Sequence, residues 1–165
     1  MNFRRIVRHL ASTDRQLRRA FPAHTLAAIQ EAIRHSEAEH SGQLRFVVEG
    51  ALDGAPLWRD QSPRDRALEL FAHLRIWDTE HNSGVLVYLL LADHAVEIVV
   101  DRGIHACCDS GVWQRICRSM ESQFAAGRFE AGTMDGIAAV SHLLMRHFPP
   151  NADGRNELPD SPLLL

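Results

Sequence analysis

The sequence predicts an α/β fold, a three-layer α/β/α sandwich around a small mixed sheet of one parallel pair and an antiparallel hairpin strand, with an extra N-terminal helix. Three observations carry this. Val85 to Leu91 is an apolar run without alternation, as a strand covered on both faces requires. A turn at Asp93 and His94 leads into an alternating segment, Ala95 to Asp101, which must return antiparallel to that strand. A strand pattern at Gln43 to Glu49 and a helix pattern at Ser62 to Leu74 come before it. Strand, helix and strand in that order form a parallel pair through a right-handed crossover.

Residues 1–21 read as a basic amphipathic helical segment, with Phe3, Ile6, Val7 and Leu10 at helical spacing among Arg4, Arg5, Arg8, Arg15, Arg18 and Arg19. Its apolar stripe can dock on the parent domain or lie on an anionic membrane. Docking is the commoner use and the expected one. Residues 22–150 are expected to form the α/β domain. Pro22 suits the first turn of a helix whose stripe is Leu26, Ile29 and Ile33, with Glu31, Arg34, Glu37 and Glu39 toward water. It should end near His40, Ser41 and Gly42. Along Gln43 to Glu49, Leu44, Phe46 and Val48 alternate with Arg45, Val47 and Glu49, the pattern of a strand with unequal faces. Gly50 to Asp60 reads as loop.

Ser62 is the expected N-cap of the next helix, with Pro63 in first position and Asp65 near the orphan amides; Ala67, Leu70, Phe71 and Leu74 should face the core. Two C-terminal helices follow the hairpin. One carries Val112, Trp113, Ile116 and Met120, and the other Ile137, Val140, Leu144 and Phe148 before Pro149 and Pro150 stop it. Residues 151–165 are expected as an extended, proline-containing tail, loosely attached.

At 165 residues the chain fits one domain with one core, and 45% hydrophobic against 24% charged residues excludes a disordered chain. The formal net charge of -3 argues against nucleic acid as a partner. No run approaches the roughly 20 apolar residues of a membrane span, and no apolar segment with a small-residue cleavage site opens the sequence, so a soluble, cytoplasmic protein is expected. All 18 basic side chains are arginine. Without lysine there is no Schiff-base chemistry, no phosphate loop of the Gly-Lys-Ser/Thr type and no kinase-type lysine. Cys107, Cys108 and Cys117 are an odd number with two adjacent, so buried free thiols are expected in place of a disulfide framework.

The predicted topology gathers distant polar residues on one edge of the sheet. Both parallel strands begin there and the antiparallel strand ends there. Glu37, Glu39, His40 and Ser41 precede the first strand; Asp78, Glu80, His81 and Asn82 precede the second; Asp101 closes the third, followed by Asp109 and Ser110. Carboxylates crowded within a few ångströms raise one another's pKa unless a cation lies between them. A hard divalent ion, Ca2+ or Mg2+, is the simplest occupant of such an oxygen-rich rim.

The runs "SEAEHSGQLRFVVE", "ALELFAHLRIWDTEHNSGVLVYLLLADHAVEIVVDRGI", "SGVWQRI" and "FEAGTMDGIAAV" together resemble the TPM domain family over roughly Ala23 to Pro149. The resemblance implies the same α/β/α sandwich. Some members bind calcium or magnesium in an acidic site, and a plant member is described as an acid phosphatase. Carried over by position, Glu37 matches the family Glu before Ser-Gly, and Asn82 with Gly84 matches the Asn-Gly at the start of the central strand. Asp101 with Gly103 matches the Asp-x-Gly after the hairpin, and Asp109 matches less closely. The implied metal ligands are therefore Glu37, Asn82, Asp101 and Asp109. The expected function is a soluble binding or regulatory module with a divalent-cation site. The alternative is a weak metal-dependent phosphatase acting on phosphate monoesters, with Asp101 or Glu37 positioning water or serving as nucleophile. A protein partner and a peripheral membrane contact through the Arg-rich helix are the partner classes left open.

Rival motifs are weaker. "HACCDSGVWQR" resembles a cysteine phosphatase loop, but Arg115 falls one residue late inside a helical pattern. His105 and the three cysteines lack the second short-spaced pair of a structural zinc site. "DTEHNSG" alternates oxygen ligands like a calcium loop, yet its Gly is misplaced and the terminal Glu is missing.

Overall fold

The computed structural model describes residues 3–150 and 156–165. A four-stranded sheet of order β3-β2-β1-β4 lies at its centre. β1 (Gln43–Glu49) runs parallel to β2 (Gly84–Leu90), β2 pairs antiparallel with β3 (Ala95–Val100), and β4 (Leu163–Leu164) joins β1 in parallel. Every residue of β1 and β2 is buried, which explains the missing alternation of the central strand.

The two sheet faces hold two cores. Leu44, Phe46, Val48, Val85, Val87 and Leu89 pack beneath α3 (Ala23–Glu37), α7 (Ser110–Ala125) and α8 (Phe129–His147). Val47, Leu86, Tyr88, Leu90 and Val99 form the opposite core with Leu57, Ala67 and Leu70, covered by α4 (Gly54–Trp58) and α5 (Pro63–His73). α5 opens as its sequence requires: Pro63 stands in its first turn and the Ser62 hydroxyl accepts the Asp65 amide at 3.0 Å. On this side Glu49 is buried but fully engaged. It takes two bonds of 2.9 Å from Arg66 and one of 2.7 Å from the Tyr88 hydroxyl.

Several expectations need correction. The described part of this segment, residues 3–21, forms two helices, α1 (Phe3–Leu10) and α2 (Asp14–Ala20), because Thr13 and Gln16 build a capping box that starts a second helix. The expected stripe of α1 docks only at Ile6; Phe3, Val7 and Leu10 remain exposed. Polar contacts set this rotation. Arg5 bonds Asp93 at 2.9 Å, His9 bonds it at 3.0 Å, and the Leu52 amide donates to His9 Nδ1 at 2.9 Å. The expected loop Gly50 to Asp60 contains α4. The third strand stops at Val100, one residue early, because Asp101 caps a short helix α6 (Arg102–Cys107).

The tail is also more firmly attached than expected. Residues 151–155 lie outside the described residues, but 156–165 run back along β1. Gln43 Oε1 accepts the amides of Glu157 and Leu158, Arg45 donates to the carbonyls of Pro159 and Ser161, and Leu158 enters the second core. The three cysteines are free, as expected, but none is fully buried: Cys107 is exposed and Cys108 and Cys117 are partly exposed. Burial pushes the Cys108 thiol up to about 11, the opposite of an activated thiolate.

Candidate cation site at the sheet edge

The end of the sheet where β1 and β2 begin is tied together by backbone. Gln43 N donates to Ser83 O at 3.1 Å, the Ser83 hydroxyl to Ser41 O at 3.1 Å, and Asp101 N to Gly84 O at 2.9 Å. Close approach makes glycine necessary at two points. A Cβ on Gly84 would stand 2.0 Å from the Ile76 carbonyl oxygen, and one on Gly103 would stand 2.6 Å from that of Asn82.

Glu37 is the last residue of α3. Its Oε1 accepts the Leu44 amide at 2.7 Å. That amide faces the side of β1 where β4 has not yet begun, so the carboxylate satisfies a ladder position without a strand partner. Its other oxygen, Oε2, is buried and has no hydrogen-bond partner. Burial pushes Glu37 up to about 8; the Leu44 amide pulls the other way, and the neighbouring Asp160 adds to the rise. Just beyond, His40 Nδ1 lies 3.1 Å from the Gly42 carbonyl, which can only accept, so Nδ1 carries the proton and Nε2 accepts the Ser36 hydroxyl at 2.8 Å. This buried pair bolts the end of α3 to the approach of β1.

Asp101 is 7% exposed. Its Oδ1 accepts the Arg102 amide at 2.7 Å at the start of α6, while Oδ2 is buried without a partner. Four buried side-chain polar atoms among the described residues lack a partner, and two of them are these carboxylate oxygens. Asn82 takes a left-handed backbone conformation (φ 50°), and its carbonyl accepts the Gly103 amide at 3.2 Å. Its side-chain oxygen is already engaged by Arg102 Nε at 2.9 Å. Asp109 is exposed and caps α7 through a 3.0 Å bond from the Gly111 amide.

Of the four predicted ligands, Asn82 and Asp101 are therefore joined through the α6 turn, Glu37 stands at the head of β1, and Asp109 serves a different helix. Glu37 opens on a cavity of about 300 Å³, lined also by Arg34, Glu80, His81, Glu157 and Asp160; Asp101 is not part of that lining. No group of three or more His, Cys, Asp or Glu side chains among the described residues is placed to hold a metal ion. Sequence reasoning missed Glu157 and Asp160, which come from the tail. The one available signal was their polarity within a proline-containing segment.

A family model for the TPM domain matches residues 16–143. Among solved structures, the fold is similar to that of BA42 protein from the psychrophilic bacterium Bizionia argentinensis, with a TM-score of 0.76 and 29% identity over 87% of this chain and 94% of that one. It is also similar to the N-terminal domain of a protein from P. gingivalis, with a TM-score of 0.62 and 19% identity over 78% of this chain and 81% of that one. No curated protein matches.

Proposed function

Because the chain belongs to the TPM domain family, we propose that it works as a binding or regulatory module that takes up a divalent cation, Ca2+ or Mg2+, at the acidic edge of its sheet. The observation behind this reading is the pair of buried, unpartnered carboxylate oxygens, Glu37 Oε2 and Asp101 Oδ2. An ionised carboxylate removed from water without a partner is costly, and it either keeps its proton or gains a positive neighbour. Glu37 shares its cavity with the carboxylates of Asp160 and Glu157, oxygen donors of the kind a hard cation takes. Glu37 and Asp160 would hold such an ion in the cavity, and Asp101 offers a second carboxylate oxygen at the same sheet edge. The bound charge would let Glu37, which burial pushes up to about 8, ionise at neutral pH. Ser36, whose hydroxyl is held by an oriented imidazole, is buried and does not line the cavity, so nothing in this pair favours the hydrolytic alternative.

Thermal melting in calcium, magnesium or chelator tests the proposal. At about one hundred times the dissociation constant the ion should add about 2.7 kcal/mol to stability, and Glu37→Gln should abolish the gain. A melting temperature indifferent to both ions and to chelator would remove it.

A further inference from the structure

We propose that the N-terminal helix pair is a docking surface for an anionic lipid bilayer, used while α1 stays packed on the domain. The side chains that hold α1 are Ile6 and His9, both buried, and Arg5, which bridges Asp93 and Asp60. At about 100° per residue, Phe3, Val7 and Leu10 share an adjoining face that this docking leaves free. Phe3 is 75% and Leu10 68% exposed. These three are among only eight large hydrophobic side chains so exposed among the described residues, and they crowd one eight-residue helix. α4, which touches α1, adds the half-exposed Trp58, an aromatic suited to a membrane interface.

Charge decides what covers this face. Residues 1–20 hold six arginines and one aspartate, whereas the remaining twelve arginines face twenty acidic residues. Arg4, Arg15, Arg18 and Arg19 are exposed and make no ion pair among the described residues. An exposed apolar stripe on α1, with exposed arginines outside any ion pair on α1 and α2, suits acyl chains and lipid phosphates together. The acidic remainder of the chain is repelled by the same surface, so only the helix pair can face it.

The test uses the full chain in chelator at physiological salt, which separates it from the cation proposal. Wild type should co-sediment with vesicles of phosphatidylcholine and phosphatidylserine and stay in solution with phosphatidylcholine alone. The combined variant Phe3→Ser, Val7→Ser, Leu10→Ser should stay in solution with both, with little change in melting temperature, because half or more of each side chain's surface, about half for Val7, is already exposed. Arg4→Gln and Arg15→Gln should each weaken binding about fivefold. Wild type that ignores the anionic vesicles, or a triple serine variant that still binds them, would overturn the proposal. So would sedimentation velocity showing that the stripe pairs two copies of the chain in place of vesicle binding.

Discussion

Asp93 and Glu37 sit at opposite ends of the same sheet, both partly withdrawn from water, and their surroundings differ in kind. Asp93 closes the turn after β2. Arg5, Arg8 and His9 all reach its carboxylate. Burial alone would push it up, but the bonds from Arg5 and His9 outweigh that and hold it below the usual carboxylate range. Glu37 has one amide bond, one bare oxygen and an acidic neighbour, and it rises to about 8. Burial does not separate an anchoring carboxylate from a candidate ligand; the supply of positive partners does.

The most severe way to break this contrast is Asp93→Ala. It removes the anchor of α1, takes the Nε2 partner from the buried His9 and leaves Arg5 with Asp60 alone of its two carboxylates, so a loss of about 3 kcal/mol is expected. Denaturant melts should show that loss, with early proteolysis after α1. A cost below about 0.5 kcal/mol would mean that Ile6 and the bonds to Asp60 and Leu52 secure the helix without Asp93. At the other end, the cation gain of about 2.7 kcal/mol at saturation should persist in Asp93→Ala after correction for the lower baseline, because the two ends share no partner. Next in size is Gly103→Ala. Its Cβ would press on the Asn82 carbonyl that links the α6 turn to the head of β2. About 2 kcal/mol should be lost, and cation binding should weaken. Unchanged stability would show that this turn yields freely.

How much of this contrast the sequence discloses follows from the range of each interaction. The central strand, the crossover and the hairpin rest on local periodicity, and with them the placement of Glu37, Asn82 and Asp101 at one edge. The polar partners are not local. Asp93 meets His9 across 84 residues, and no pattern within residues 1–21 indicates that Arg5 and His9 will set the rotation of α1. The family resemblance and strand order make Asn82 and Asp109 look like free ligands. Their oxygens instead serve Arg102 and a helix start. β4 is only two residues long, too short to show an alternation, so the tail that delivers Glu157 and Asp160 to the cavity reads as loose chain.

The most direct comparison of the two carboxylates is the pH dependence of stability in chelator. The folded Glu37 carboxyl keeps its proton up to about 8, whereas the unfolded one releases it near 4.5. Between those values the folded chain binds more protons than the unfolded chain, so stability falls as pH rises and levels off above about 8. His40, lowered by burial, acts in the opposite sense, but its contribution is complete by its ordinary value of 6.5. Burial raises Glu97 as well, so the part of the decline from there to about 8 that Glu37→Gln removes is the part that belongs to Glu37. Asp93, held low and paired, is ionised in both states across that window and adds no slope. Glu37→Gln should erase that part of the decline while changing stability near pH 6.5 by less than about 0.5 kcal/mol, since an amide has the shape of a protonated carboxyl. Saturating cation should erase it as well, because the ion favours the ionised form and must compete with the proton. Melting curves of wild type and variant at several pH values decide the matter: a flat wild-type profile, or a decline that Glu37→Gln leaves unchanged, would place Glu37 in the same paired class as Asp93 and withdraw it from the cation site.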